Sequence, residues 1–349
     1  MRGARFRIAL FPIRNRAQVR KPMLKMGSLV AFLSLYYFLV RKSSHVFRPS
    51  HIAVCVTGQM CRLQLESKYV HFFQPLAQRG ELSIALVLQT GDECIHLNTQ
   101  SRLDERDQFS SMHEIKQWFY ERQLKANMIK YETASGEHEF VQPRYVYTLN
   151  KLGRRNSTQR ALVHFRQWKS YELCWRALPH HADVYIRMRD DSNFFRTFSF
   201  PTLLEHQRPL VDVIVPECCN WDGLNDKIAI FFGARAAESL LTNTLRIYKR
   251  EYDDLVCPLS TDTDCVYKFR THNPETFLQQ VTDALELKVA QVDYNRLPHV
   301  AAISNNGHIC IESPSRQVGS KSCIVSLRSL AQLPAFHAEG TCEIYIPFV

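Results

Sequence analysis

The sequence predicts an α/β fold, a three-layer sandwich in which helices cover both faces of a mainly parallel sheet. Two observations favour this fold. Short apolar runs that are typical of buried strands alternate along the chain with longer segments whose apolar residues recur at helical spacing. Several of these runs end in glycine or in charged residues, which is typical of strand ends. Ligands of such sheets bind beyond the carboxyl ends of the strands, so the residues that follow each run are candidates for function.

Strands are predicted wherever a compact apolar run is bounded by turn-forming or charged residues. The first run begins at His51 and is stopped by Gly58. Alternation with period two marks the strand that enters the charged segment 182–191. In order along the chain, the predicted strands are 51–58, 82–88, 128–131, 182–191 and 211–216, with strand-like pieces from about residue 300.

Helices are predicted from apolar residues that recur on one face and from residues that start or stop a helix. Pro179 ends one helix, and Asn273 followed by Pro274 starts another as N-cap and first helical residue. In chain order, one predicted helix ends near Leu76, three more span 112–124, 158–178 and 234–252, and the last begins at Asn273. Core-facing positions on the last three are Ala161, Phe165, Trp168, Tyr171, Trp175 and Leu178, then Ala237, Leu241, Leu245, Tyr248 and Tyr252, then Phe277, Val281 and Leu285.

The N-terminal segment has the charge pattern of a membrane anchor. Residues 1–25 carry eight Lys or Arg and no acid, and residues 26–40 are uncharged. Since positive charge marks the cytoplasmic flank, the chain after Lys42 is predicted to be lumenal, which is a single-pass type II topology. A short span suits an early-secretory or Golgi membrane. An Arg-rich, acid-free start is also typical of a mitochondrial or plastid transit peptide, and that alternative stays open.

The predicted organisation follows from this anchor. The parts are a cytoplasmic basic tail at 1–24, a transmembrane span at 25–41, a stem at 42–50, a main domain at 51–299 and a cysteine-containing extension packed on it at 300–349. The formal net charge is +10, but Glu66 is the first acidic residue. Because most of the excess is N-terminal, no nucleic-acid partner is expected.

Eleven cysteines favour a lumenal enzyme with a few disulfides. Cys257 and Cys265 bracket a short loop and are the first pair expected, followed by pairing among Cys310, Cys323 and Cys342. Buried unpaired cysteines are the alternative. No Cys/His cluster has zinc spacing. The only N-glycosylation sequon predicts a glycan on Asn156 in a lumenal domain, although the same residue suits a helix cap.

The segment 182–191 carries polar residues where a buried strand has none. By strand parity, one face carries Val184, Ile186 and Met188, and the other carries Tyr185, Arg187, Arg189 and Asp191. Arginines bind anions and carboxylates bind divalent cations, so this stripe suits a nucleotide diphosphate with its metal.

Two carboxylates at the end of this segment are the predicted metal ligands. Asp191 is the first choice and Asp190 the second, because parity turns Asp190 to the other face unless the strand ends earlier and a turn brings both to one metal. The alternative is a structural ion network, in which Arg187 and Arg189 pair with these aspartates or with Asp183.

The stretch 221–229 places an aromatic, a glycine and three acid or amide groups in a loop between a strand and a helix, a common position for acceptor contacts. Asp226 is predicted as the general base that deprotonates an acceptor hydroxyl, with Asp222 in reserve. Trp221 is predicted to stack on a sugar and Asn225 to contact the acceptor. The alternatives are a helix cap for Asp226, a turn for Asn225 and a core position for Trp221.

These motifs resemble known transferases. Asp190-Asp191 after an apolar strand stands where GT-A glycosyltransferases carry an Asp-x-Asp metal motif, although the sequence here reads Arg-Asp-Asp. With the anchor and stem, the chain resembles type II Golgi glycosyltransferases. The finer pattern resembles a poorly characterised group of nucleotide-sugar-transferase-like proteins over roughly residues 51–250: Thr57-Gly58-Gln59 with Arg62, Arg-x-Arg-x-Asp at 187–191, and Gly-x-Asn-Asp-Lys-x-Ala at 223–229.

The resemblance implies a GT-A-like domain that moves a sugar from a nucleotide-sugar donor to a glycan or glycoprotein hydroxyl, with Mn²⁺ or Mg²⁺ as cofactor. Residues implied in donor binding are Gly58, Gln59, Arg62, Arg187 and Arg189. One alternative is a non-catalytic lumenal binding or scaffold protein on a decayed transferase fold. Another is a different anchored transferase such as a sulfotransferase, which needs a phosphate-cradling loop that residues 56–59 match poorly.

Overall fold

The computed structural model describes residues 49–90, 109–132, 140, 157–194, 196–204, 211–217, 223–252, 255, 273–293 and 296–301. The chain divides into two units, Met1–Val46 and Phe47–Val349, and every described residue belongs to the second. The predicted basic tail, the span and most of the stem lie outside the described residues. Within the described part, no helix combines the length and apolar character that crossing a bilayer requires.

Seven of the described strands form one mixed, mainly parallel sheet. In chain order, β1 to β9 are His51–Gln59, Glu81–Thr90, Ala126–Glu132, Val184–Arg189, Ser192–Phe194, Val213–Pro216, Ile228–Phe232, Val289–Val292 and His299–Ala301. The sheet order is β3-β2-β1-β4-β7-β6-β8, and β5 pairs with β9 in a separate two-stranded sheet. Of these seven strands only β7 runs against the others, because its pairings with β4 and β6 are antiparallel.

The helices connect and cover these strands. A 3-10 turn, Met60–Arg62, follows β1, and a π-helical turn, Tyr69–Phe73, lies between the first two short helices. In chain order, α1 to α7 are Glu66–Lys68, Gln74–Ala77, Met112–Glu121, Ser157–Ala177, Phe200–Leu203, Ala234–Arg250 and Pro274–Ala284. The predicted start of α7 is confirmed, since Asn273 and Thr276 form a reciprocal capping box.

Both faces of the sheet are buried, which gives three layers. One face carries Ala53, Cys55 and Tyr185 and packs on apolar residues of α4, α6 and α7. The other face carries residues such as Val54 and Ile186 and packs on α2, α3 and α5. Strands buried on both sides read as continuous apolar runs, which is why β1 and β2 were visible in the sequence. The prediction of an α/β fold with a mainly parallel sheet is confirmed.

The path of the chain produces a topological switch point between β1 and β4. From β1 the chain moves outward to β2 and then to β3, with α2 and α3 on one face. It then returns along α4 on the opposite face and enters β4 on the other side of β1. Doubly wound sheets bind ligands outside the carboxyl ends of the strands at such a point. Here those ends are Gln59 of β1 and Arg189 of β4.

Two predictions about this region need correction. The strand predicted at 182–191 ends at Arg189, and Asp190 and Asp191 form a turn, so strand parity does not orient them. The loop predicted at 221–229 does not lead straight into a helix, because Ile228–Phe232 is the antiparallel strand β7. Strand β7 has only five residues, between a polar loop and the start of a helix. A run this short shows no alternation of apolar and polar residues that would mark it as a strand in the sequence.

A disulfide joins the central strand to the helix above it. Cys55 of β1 and Cys174 of α4 are bonded across a sequence separation of 119, and both are completely buried. Cys61 is also disulfide-bonded. The predicted Cys257–Cys265 pair, the pairing among the last three cysteines and the Asn156 glycosylation site all lie outside the described residues.

Candidate functional site

The carboxylate of Asp190 lies directly against Gly58 at the switch point. Its Oδ2 accepts hydrogen bonds from the backbone N–H of Gln59 at 2.9 Å and from Nε of Arg62 at 2.9 Å. Its Oδ1 accepts from Nη2 of Arg62 at 3.0 Å. Gly58 has a φ of +144°, and a Cβ on it would lie 2.2 Å from Cγ of Asp190. Glycine is therefore required here both for its backbone conformation and for the space that Asp190 fills.

Asp191 points to a second arginine. Its Oδ1 accepts from Nε of Arg189 at 3.0 Å and its Oδ2 from Nη2 at 2.8 Å, which is the two-pronged geometry of a strong ion pair. Nη1 of Arg62 lies 3.9 Å from Oδ2 of Asp191. Burial alone would raise the pKa of Asp191, but Arg189, then Arg62 and Lys227, outweigh it and hold that pKa below its usual range. Asp191 is therefore ionised at neutral pH.

Arg187 is buried beneath the site. It is 2% exposed, its Nε donates to Oγ1 of Thr57 at 3.1 Å, and its Nη1 donates to the backbone carbonyl of Asp226. Its guanidinium carbon lies 4.3 Å from the ring centroid of Tyr171. Burial lowers the pKa of Arg187 and raises that of Tyr171 to about 12. Among the described residues, Arg187 forms no salt bridge with a carboxylate.

One carboxylate oxygen of Asp226 has no hydrogen-bond partner within the described part of the chain. Its Oδ2 accepts from Nε2 of Gln167 at 2.8 Å and from Nη1 of Arg189 at 3.1 Å. Its Oδ1 is buried and has no partner among the described residues. Burial would raise the pKa of Asp226, but Arg189, then Lys227 and Arg187, lower it below the usual value. This ionised oxygen is therefore a buried acceptor that the described residues leave unsatisfied, and a donor group of a ligand would satisfy it.

Backbone contacts fix the turns that carry these side chains. The Oδ1 of Asn225 accepts from the N–H of Lys227 at 2.8 Å, which is the turn predicted as its alternative role. Nζ of Lys68, a completely buried lysine, donates to the carbonyls of Asp190 at 2.7 Å and of Ser192. Because Lys68 binds the carbonyls at both ends of the 190–192 turn, it helps to position Asp190 and Asp191.

Sequence reasoning missed Glu275 on α7. This residue is 8% exposed, and its backbone carbonyl accepts from the N–H of Leu224 at 2.9 Å. A Cβ on Gly223 would lie 2.1 Å from that carbonyl, so α7 packs tightly on the loop that leads to Asp226. Burial, and then the charge of Asp226, raise the pKa of Glu275 to about 8. The sequence showed a helix start at 273–275 but not what would cover it.

The cluster as a whole carries more positive than negative groups. Its cationic side chains are Arg62, Lys68, Arg187, Arg189 and Lys227, and its low-pKa or ion-paired carboxylates are Asp190, Asp191 and Asp226. Among the arginines, the side chain of Arg62 is 13% exposed and that of Arg189 is 21% exposed, while Arg187 is covered. Cations at the carboxyl ends of β1 and β4 suit an anionic ligand that approaches from the edge of the sheet.

Comparisons with known proteins give a fold likeness. No family model matches the sequence, and no curated protein matches it. The apo form of mouse xyloside xylosyltransferase 1 aligns with 14% identity and a TM-score of 0.36, over 85% of this chain and 99% of that one. The chain is distantly similar in structure to glycosyltransferases. The apo glycosyltransferase GlyE of Streptococcus pneumoniae TIGR4 aligns with 9% identity and a TM-score of 0.34, over 69% of this chain and 45% of that one. Both likenesses concern the fold alone.

Nine of the predicted site residues lie in this one region. They are Gly58, Gln59, Arg62, Arg187, Arg189, Asp190, Asp191, Asn225 and Asp226. Asp222 and Trp221 lie outside the described residues. The predicted alternative of an ion network is present in part. Arg189 pairs with Asp191 as predicted and also with Asp226, whereas Arg187 pairs with no carboxylate among the described residues. Asp183 takes no part in it and instead accepts hydrogen bonds from Ser50 and His51 at the other end of β4.

A divalent cation on Asp190 and Asp191 does not fit the donor set as it is arranged. Both carboxylates are bound by guanidinium groups, and Asp190 is completely buried. Among the described residues, no group of three or more His, Cys, Asp or Glu side chains is placed to hold a metal ion. Mg²⁺ or Mn²⁺ at this position stays a prediction.

Replacing Glu275 with glutamine is expected to flatten the pH dependence of stability. The folded protein binds the Glu275 proton more tightly than an unfolded chain, with a pKa of about 8 against 4.5. The stability that this group contributes is complete below pH 4.5 and is lost as pH rises through 8. Between about pH 6 and 8 the wild type should lose at most about 3 kcal/mol of unfolding free energy from this group, a loss that Glu275→Gln removes. Chemical denaturation at several pH values measures it. Glu238→Gln, on an exposed position of α6, is the control, and identical pH profiles for the two variants would contradict the assignment.

Proposed function

We propose that this protein is a glycosyltransferase, moving a sugar from a nucleotide-sugar donor to a hydroxyl of a glycan or protein acceptor. One observation carries the proposal: a buried, net-positive cluster at the switch point contains a carboxylate oxygen, Oδ1 of Asp226, that has no partner among the described residues. The cations suit a diphosphate leaving group, and the free oxygen suits a general base.

In this reaction, Asp226 acts on the acceptor and the arginines act on the leaving group. The acceptor hydroxyl attacks the anomeric carbon of the donor sugar, and a new carbon–oxygen bond forms. Oδ1 of Asp226 receives the hydroxyl proton. The bond between the anomeric carbon and the diphosphate breaks, and the electron pair leaves with the diphosphate. Arg62 and Arg189, the two partly exposed arginines, face the charge that develops on that group. Gln167 holds Oδ2 of Asp226, which leaves Oδ1 to the acceptor.

Replacing Asp226 with asparagine is expected to lower turnover by at least about a hundredfold, because the amide cannot take the acceptor proton. The measurement is hydrolysis of a panel of nucleotide sugars by the full-length chain in detergent, with water as acceptor. Asp183→Asn is the matched control, since that carboxylate accepts its hydrogen bonds at the opposite end of β4. Nucleoside-diphosphate binding should persist in Asp226→Asn. Unchanged hydrolysis by this variant would contradict the role of Asp226.

A non-catalytic binding or scaffold protein is the second candidate. It is favoured by the two-pronged pairing of both Asp190 and Asp191 with arginines, which is an arrangement that also serves stability alone. The same panel separates the two candidates. Wild-type protein that hydrolyses no nucleotide sugar and gains no thermal stability from any nucleotide would support the second candidate.

The proposed setting of this activity is the Golgi lumen, with the predicted span at 25–41 as a type II anchor. The buried Cys55–Cys174 disulfide supports a compartment that is oxidising. Mitochondrial or plastid targeting is the alternative that the basic N-terminus leaves open. The thiol state of Cys55 and Cys174 in the cell bears directly on this proposal.

A further inference from the structure

Asp190 is held so that it cannot turn toward a metal ion. It is completely buried, and its two oxygens accept three hydrogen bonds, from the Gln59 N–H and from Nε and Nη2 of Arg62. The Cγ atom of Asp190 lies 2.2 Å from the position that a Cβ on Gly58 would take. The backbone carbonyl of Asp190 is also bound by Lys68. Freeing this carboxylate for a cation breaks the ion pair with Arg62 and leaves that guanidinium without its carboxylate partner.

Asp191 is surrounded by cations. Both of its oxygens are bound by Arg189, and Arg62 approaches Oδ2 to 3.9 Å. Lys227 lies next to the strand end that carries this carboxyl, because its backbone carbonyl accepts from the N–H of Arg189 at 2.8 Å. A divalent ion at Asp191 would therefore meet positive charge on several sides.

The same cations already supply what a metal ion supplies in diphosphate chemistry. Five cationic side chains stand against three carboxylates in the cluster, so a doubly charged anion balances it. Arg187, without a carboxylate partner among the described residues, adds positive charge beneath the site. Arg62 and Arg189 combine partial exposure with planar donor groups that match phosphate oxygens.

We propose that the donor diphosphate is neutralised by Arg62 and Arg189, supported by Lys227 and Arg187, and not by a divalent cation on Asp190 and Asp191. This inference rests on the proposed function, because it concerns the leaving group of that reaction. Diphosphate oxygens replace some of the hydrogen bonds that these arginines make to Asp191 and Asp226. Each guanidinium has five donors, so Arg189 retains a link to the strand end while it binds the ligand.

The test is the affinity of UDP, GDP and ADP for the full-length chain, measured by titration calorimetry in EDTA and again in excess Mn²⁺ or Mg²⁺. We expect the Kd of the bound nucleotide to differ by less than about threefold between buffers, a change below 1 kcal/mol. An affinity that rises tenfold or more with metal overturns the inference and leaves the proposed function intact. Failure of all three nucleotides to bind in every buffer overturns both.

Variants test which side chains bind the phosphates. Arg189→Gln removes one partly exposed charge and should weaken nucleotide binding by at least about tenfold. It should also reduce the salt dependence of the Kd, because fewer charge contacts remain. Arg246→Gln is the control, since Arg246 pairs with Glu251 on the surface of α6. Equal Kd values for Arg189→Gln and Arg246→Gln would overturn the assignment, provided that thermal melting shows both variants to be folded. If Arg189→Gln does not fold, the comparison of wild-type Kd values with and without metal tests the inference instead.

Discussion

Replacing Gly58 with alanine is expected to lower the free energy of unfolding by at least about 4 kcal/mol, a loss that only a few mechanisms produce. The backbone at Gly58 has a φ of +144°, and the new Cβ would lie 2.2 Å from Cγ and Oδ1 of Asp190. Asp190 cannot move away without breaking its hydrogen bonds with Arg62 and with the Gln59 N–H. The alanine therefore separates β1 from the 190–191 turn, and it should abolish nucleotide binding together with stability.

Gly233→Ala is the matched control for this prediction. Gly233 also has a positive φ, +90°, but no atom lies within 4 Å of a Cβ built there. Its substitution carries only the penalty for this backbone conformation, about 1 to 3 kcal/mol. Chemical denaturation of both variants separates the cost of the backbone conformation from the cost of the steric clash with Asp190. Equal losses for Gly58→Ala and Gly233→Ala would show that the contact with Asp190 contributes nothing.

The sequence was sufficient where the signal is local. β1 and β2 are continuous apolar runs, and α7 starts with a cap and a proline, so their type followed from short windows. It was insufficient where a short strand has no period of its own, as in β7. The site lies at the ends of β1 and β4. Where these strands end depends on the pairing between them, and they are more than a hundred residues apart in the sequence.

Individual site residues were found from the sequence, but their contacts were not. Gly58 and Asp190 were each noted, yet only the parallel register, in which Thr57 pairs with Arg189, places one against the other. Arg187 is predicted to bind the donor, but it is covered by Tyr171, because α4 packs on that face of the sheet. Glu275 gave no signal, since its burial depends on the loop at 223–226 packing on α7. In all three cases, the contact between Gly58 and Asp190, the cover on Arg187 and the burial of Glu275, packing between distant parts of the chain determines the result.

Removal of the Cys55–Cys174 disulfide is expected to lower the free energy of unfolding by about 5 kcal/mol. Chain-entropy arguments give about 4.7 kcal/mol for a loop of about a hundred residues, and this disulfide spans a separation of 119. The bond joins β1, one of the two strands at the switch point, to α4, which packs on one face of the sheet. The measurement is chemical denaturation of the Cys55→Ala/Cys174→Ala variant and of the wild type in reductant.

The predicted Cys257–Cys265 pair supplies a comparison. Its separation is only eight residues in the sequence (265 − 257 = 8), so its removal should lower the unfolding free energy by at most about 2.5 kcal/mol. A loss near 5 kcal/mol is of the same order as the whole stability of many domains. Folding of this domain would then depend on an oxidising compartment. Reductant should lower the denaturation midpoint of the wild type by more than that of the Cys55→Ala/Cys174→Ala variant, which keeps the disulfide of Cys61. A wild-type midpoint that is insensitive to reductant would contradict the predicted stabilisation and remove the support that this disulfide gives to a lumenal location.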